Sequence, residues 1–298
     1  MSKSLSVPET VALGAMTLAL FLGAGNIIFP PLVGMQAGAH ATMAGAGFLV
    51  TAVLFPVLAI ISLAINKGDI AELTKPLGKQ VSTLFISTCF LTLGVLFATP
   101  RTATISYEVI TNDVHDSFAH KLMFSLIFFG GGGAVLIKSG RLLEIVGFFL
   151  SPIKIGALIF IGLFAWIHPV GNLTTAVSTY NNNAFGTGFI NGYQTLDVIS
   201  ALCFGAIITH TLQQRGVVSG KGILRYSALA ALIAAFGLSI IYICFISMGS
   251  HSNYHAATNG MQIMSDYVQT VFGVFGRTLL ATIITLACLV TAIGLTTG

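Results

Sequence analysis

Charge is what this chain of 298 residues has least of: Asp, Glu, Lys and Arg together make up 7% of it, where soluble domains carry about a quarter. With a mean hydropathy of +0.93, that scarcity excludes a soluble globular protein and makes the lipid bilayer its surroundings. A net charge of +4 spread over so apolar a chain gives no basic patch, so no nucleic-acid partner is expected. Cysteine is scarce as well. Cys89, Cys203, Cys244 and Cys288 stand far apart with no C-x-x-C pair, which excludes a disulfide framework and a zinc site. There is no H-E-x-x-H and no His, Asp and Cys cluster, so the chain is not read as an enzyme and no cofactor is expected. The first apolar segment lacks a small-residue cleavage site and is read as a retained span rather than a signal peptide.

What is present is a series of eight apolar segments, at roughly 9–35 (interrupted), 42–65, 81–99, 121–137, 143–167, 195–213 (interrupted), 222–248 and 277–298. Each has helical length, and none alternates as a membrane-barrel strand does. The fold class is therefore an all-α polytopic membrane protein with one integral domain over 1–298. The stretches 100–120 and 168–194 read as the longer loops. Placing the N-terminus in the cytoplasm leaves Lys3, Lys67, Lys75, Lys79, Lys138, Arg141, Arg215, Lys221 and Arg225 inside and only Arg101, Lys121 and Arg277 outside, the asymmetry a cell membrane imposes. The eighth segment runs to Gly298 without a polar cap, as expected of a C-terminally truncated chain.

The first segment contains Gly23-Ala24-Gly25-Asn26-Ile27-Ile28-Phe29-Pro30-Pro31. Glycine weakens a helix and proline removes a donor; a break at membrane depth is tolerated only where the freed groups face protein, ligand or water. The alternative is a proline kink without a ligand. A true break offers free N–H groups near Gly25, Asn26 and Ile27 to a carboxylate, and the C=O groups of Ala19, Leu20, Phe21 and Leu22 to a cation. One such break can hold both a zwitterionic amino acid and Na+. Asn26 adds an amide oxygen suited to Na+, unless that oxygen caps the second half-helix.

A second break is expected at Cys203-Phe204-Gly205-Ala206 in the sixth segment, because paired breaks in segments one and six suit a five-helix inverted repeat. Lys154 lies midway along the fifth segment, where an ammonium is expensive. It serves either cation or proton coupling, or as a structural tie onto backbone carbonyls. On the eighth segment Cys288 and Thr291 share a helical face; the Cys288 carbonyl and Thr291 hydroxyl complete a cation site against the first helix, unless the hydroxyl bonds back along its own helix.

Leu20–Pro31 with Gln36-Ala37-Gly38, together with Leu96–Thr104, Phe189–Tyr193 and Ala287–Leu295, resembles the bacterial branched-chain amino acid:cation symporters of the BrnQ type, over the chain from about Val7 to Gly298. The resemblance implies a secondary active transporter taking up L-leucine, L-isoleucine and L-valine through the inner membrane in symport with Na+ or H+. The alternatives are a non-transporting fragment of such a carrier or a carrier for another small neutral amino acid. It also implies a LeuT-like inverted-repeat bundle, with 1–170 the first five-helix repeat and 190–298 an incomplete second. By that resemblance Gly23, Ala24 and Gly25 meet the substrate carboxylate, Asn26 ligates a sodium ion beside the substrate, and Ala19, Leu22, Cys288 and Thr291 form a second cation site; Phe204 and Gly205, at the expected second break, are the further candidates for substrate contact. Some proton-coupled relatives place a fifth-helix lysine in that second site, as Lys154 is placed here. A third-helix tyrosine common in the superfamily has Phe90 as its nearest counterpart.

Overall fold

The computed structural model describes residues 4–111, 117–138, 140–252 and 259–297, and their side chains except for 132–151, 290 and 293–297. Helices follow one another along the described chain, with no strand among these residues. They are α1 (Val7–Phe21), α2 (Ala24–Ala37), α3 (Ala41–Leu49), α4 (Phe55–Ile65), α5 (Ile70–Thr74), α6 (Lys79–Leu91), α7 (Ala98–Thr111), α8 (Phe118–Lys138), α9 (Gly140–Ile167), α10 (Ser178–Tyr193), α11 (Asp197–Gln214), α12 (Gly220–Ser250) and α13 (Gly260–Thr297). Four helical runs are long and apolar enough to cross a membrane: Ala24–Ile65, Lys79–Thr111, Gly220–Ser250 and Gly260–Leu289. Ser178–Tyr193 and Asp197–Gln214, bent by 44°, pass together as a fifth, while Val7–Phe21, Phe118–Gly131 and Pro152–Ile167 are shorter apolar helices. Many large apolar side chains point outward, among them Val95, Phe118, Leu126 and Phe236. Such surface is the expected exterior of a multi-pass membrane protein.

Local chemistry sets the first helix. Ser6 and Glu9 form a reciprocal capping box, with Ser6 N donating to the Glu9 carboxylate at 2.7 Å. The helix stops at Phe21. Leu22 turns to φ −68°, ψ 70° and Gly23 is extended at φ −97°, ψ −169° before α2 begins at Ala24. The interruption therefore falls at Leu22 and Gly23, at the start of the expected motif. Pro30 and Pro31 do not break the helix. Both lie inside α2, which continues to Ala37: the proline ring fits helical φ, although each ring removes one backbone donor. Gly38, at φ +48°, then turns the chain between α2 and α3 in a conformation that suits glycine.

The second break is not where the sequence places it. Residues 203–206 lie within a continuous α11, and the interruption is at 194–196, where Leu196 adopts φ +65°. Gly205 is a packing glycine: a β-carbon there would lie 2.9 Å from Leu63 Cδ2 of α4. The half-helix before the break, α10, occupies a stretch read as loop. Its Asn, Thr and Gly content hides a helix whose Gly188 and Gly192 press against the Ala44 and Phe48 backbone of α3. Close approach through small residues is a common way for membrane helices to gain contact.

The same device binds α2 to α12, because a β-carbon on Gly249 would strike the Pro31 carbonyl and one on Gly34 the Ile246 carbonyl. Gly249→Val is expected to destabilise the folded protein by about 3 kcal/mol through overpacking, read as a lower melting temperature in detergent. The exposed Gly220, whose β-carbon would meet nothing within 4 Å, serves as the comparison, with Gly220→Ala expected to melt as the parent does.

Candidate functional site

The two breaks meet at one small cavity. It is lined from α1 and α2 by Phe21, Gly23, Ala24, Gly25 and Asn26, from α7 by Ala98, Arg101 and Thr102, and from the second break and α11 by Thr195, Asp197, Ser200 and Phe204, with Thr291 of α13 closing it. Its volume of about 30 Å³ is room for roughly one water. An amino acid therefore enters only if the lining helices shift apart.

Of the residues expected to meet substrate, Gly23, Ala24, Gly25, Asn26 and Phe204 line this cavity and Gly205 does not, for the packing reason given above. Phe204 is held edge-on against Phe21, with ring centroids 5.2 Å apart. Phe90 is 37% exposed and lies outside the cavity lining, so α7, which follows it, is what the third segment contributes to the site. The conformations of Gly23 and Gly25 do not demand glycine; their surroundings do. A β-carbon at Gly23 would lie 3.2 Å from Thr291 Cγ2, and one at Gly25 would lie 3.0 Å from Arg101 Nη1 and 3.2 Å from the Thr195 carbonyl oxygen.

Asn26 does not cap α2. Its amide Nδ2 donates to Asp197 Oδ2 at 2.6 Å and to the Tyr242 hydroxyl, which itself donates to the same Asp197 oxygen at 3.0 Å. All three side chains are buried. This network ties α2, α11 and α12 together at the cavity. The Asn26 amide oxygen is turned toward the first break, 3.8 Å from where a Gly23 β-carbon would be.

On the far side of α1 the Lys154 ammonium donates to the Ala19 carbonyl at 2.9 Å and the Leu22 carbonyl at 3.0 Å. These are orphan acceptors at a helix C-terminus, which favours a cation there. Lys154 is 2% exposed, and Cys288 of α13 is buried within its electrostatic reach. The Thr291 hydroxyl is buried with no hydrogen-bond partner among the described residues, so it does not bond back along α13. Ala19, Leu22, Lys154 and Cys288 thus sit together, and Thr291 opens onto the cavity beside them.

Sequence reasoning missed Asp197, Tyr242 and the inward role of Arg101, which had been assigned to the outer surface. Arg101 Nη1 donates to the Gln194 carbonyl at 2.7 Å, and its guanidinium lies 5.1 Å from the Phe29 ring centre. A signal for Asp197 was available. It is the only acidic residue between Glu144 and Asp266, and a carboxylate within an apolar segment is costly enough to demand a role.

A family model described as "Branched-chain amino acid transport protein" matches residues 6–298. The chain is 44% identical over 299 residues to the branched-chain amino acid permease BrnQ of Escherichia coli strain K12, covering 99% of this chain and 68% of that one. It is 45% identical over 291 residues to the branched-chain amino acid transport system 3 carrier protein of Pseudomonas aeruginosa, covering 97% and 67%. The branched-chain amino acid permease BraB of Bacillus subtilis is 35% identical over 303 residues, covering 100% and 68%. The chain thus spans about two thirds of the length of these relatives.

Proposed function

The chain belongs to the branched-chain amino acid transport protein family, and from that premise we propose that it takes up L-leucine, L-isoleucine and L-valine by secondary active transport in symport with Na+ or H+. In this reading it lies in the inner membrane with a cytoplasmic N-terminus. Its eight spans follow a LeuT-like plan, with 1–170 as the first five-helix repeat and 190–298 belonging to the second. The observation that carries the proposal is the meeting of two helix breaks on one buried cavity, with the C-terminal end of α1 (Leu20, Phe21) and the first turn of α2 (Ala24, Gly25, Asn26) both lining it. Half-helix ends of opposite polarity suit a zwitterion.

The coupling ion divides between two places. Asn26 Oδ1 and the unpartnered Thr291 hydroxyl are hard oxygens at the cavity, and they fit Na+. At Ala19 and Leu22 the carbonyls already hold the Lys154 ammonium. We assign that second site to the lysine, with a proton gained or lost there doing what a second Na+ does elsewhere.

The test is binding of tritiated L-leucine to the purified chain in lipid nanodiscs. Saturable binding displaced by L-isoleucine and L-valine, but not by D-leucine, is the expected result. Displacement by L-alanine at lower concentration than by L-isoleucine would reassign the carrier to small neutral amino acids. Absence of any saturable amino-acid binding would reject the proposal. Repeating the titration with Na+ replaced by choline, at several fixed pH values, reads the two coupling sites separately.

A further inference from the structure

Only two of the cavity's described lining residues carry a side-chain charge, Arg101 of α7 and Asp197 at the start of α11. The Arg101 guanidinium lies against the first turn of α2, 3.0 Å from the Gly25 β-position, where the free N–H groups form the positive end of the half-helix. No carboxylate among the described residues is within ion-pair distance of it; its charge and that of Asp197 attract each other from further away. Asp197 opens α11 at the other break, 3% exposed. Asn26 Nδ2 and the Tyr242 hydroxyl both donate to Oδ2, and the Thr195 side chain lies beside the same carboxylate. Two donors on one oxygen orient an acceptor carboxylate. Near it, the Gln194 carbonyl ends α10 and is taken by Arg101.

Resting on the proposed amino-acid transport, we infer that Arg101 and Asp197 read the two charges of the substrate: Arg101, with the α2 amides, takes the α-carboxylate, and Asp197 takes the α-ammonium. Loading then exchanges one set of bonds for another. The Arg101 guanidinium leaves the Gln194 carbonyl for the incoming carboxylate, and the freed carbonyl becomes an acceptor for the ammonium beside Asp197. No buried charge or polar group is left unpaired at the end. The Arg101–Gln194 bond in the small cavity is accordingly a latch between α7 and the second break, one that the substrate replaces. The competing role for the acid is a purely structural tie of α2 to α12 through Asn26 and Tyr242, and that role is indifferent to which charge a ligand carries.

The experiment uses that difference. The full chain in nanodiscs is titrated with L-leucine, with isocaproate, which lacks the ammonium, and with isopentylamine, which lacks the carboxylate, each as competitor of tritiated L-leucine or directly by calorimetry. Removing one partner of a buried charge pair is worth about thirtyfold or more in affinity. Asp197→Asn is therefore expected to weaken L-leucine and isopentylamine by that factor and leave isocaproate within about twofold of the parent. Arg101→Gln is expected to do the reverse, weakening L-leucine and isocaproate and sparing isopentylamine. Should a neutral variant fail to fold, Asp197→Glu and Arg101→Lys carry the same comparison, each shifting affinity only for ligands bearing the opposite charge. Equal losses for all three ligands in either variant would overturn the inference while leaving the transport reading intact. A parent that binds no L-leucine would instead remove the reading on which the inference rests.

Discussion

Gly25→Leu is expected to lose L-leucine binding by about a hundredfold or more, a change of ~2.7 kcal/mol, while the protein still inserts and elutes as a single species. The reason is local. The first atom of any side chain at Gly25 meets Arg101 Nη1 at 3.0 Å and the Thr195 backbone at 3.2 Å. Arginine can swing aside, but the Thr195 backbone belongs to the second break and cannot. A leucine there covers the amides at the start of α2 and holds the two breaks apart, so the loss falls on the ligand site more than on helix packing. Gly25→Ala, adding one carbon, is expected to fall between the two. Equilibrium binding in nanodiscs with gel-filtration profiles checks both parts, and wild-type affinity in a well-folded Gly25→Leu protein would remove this break from the binding site.

The second large effect is expected at Lys154. Lys154→Ala strips two charge-assisted hydrogen bonds from the Ala19 and Leu22 carbonyls, each worth about 1.5–3 kcal/mol. It also leaves a helix C-terminus without its cation. Uptake is expected to fall at least about tenfold and the pH dependence of leucine binding to flatten, because under the proposed coupling the group that exchanges a proton with the carbonyl site is gone. Lys75→Ala, at the exposed ion pair with Glu72, is the control, since exposed pairs contribute about 0–1 kcal/mol. A stability loss alone would not distinguish a tie from a coupling group, so the pH profile decides. Normal uptake with an unchanged profile would place coupling elsewhere, with Asn26 and Thr291 the remaining oxygens.

How much was legible before the structure follows from how far apart the interacting residues stand. The break at Leu22 and Gly23 is encoded within a few residues, since glycine and the end of an apolar run act on their own backbone, and it lies within one residue of the predicted motif. The second break was displaced because Gly205 was read as a helix breaker. Only the opposing face of α4, where Leu63 needs the space, shows it to be a contact glycine. The same glycine chemistry serves both ends, and composition cannot tell them apart. Likewise 178–193 reads as polar loop by residue type and becomes α10 because α3 lies against it.

The sequence by itself determined that the fold is of the helical membrane class, that it lives in the bilayer, that its first apolar segment is interrupted, and that Lys154 must be accounted for. Each of these rests on transfer cost or on backbone chemistry, and both act residue by residue. The tertiary structure alone decided that Asn26 meets Asp197, 171 positions away, and Tyr242, 216 positions away. It also decided that Arg101 turns inward to Gln194 and that the lysine settles on Ala19 and Leu22. A buried polar group must find a partner, but its own sequence states only the need. Which partner answers it depends on which helices the packing brings side by side.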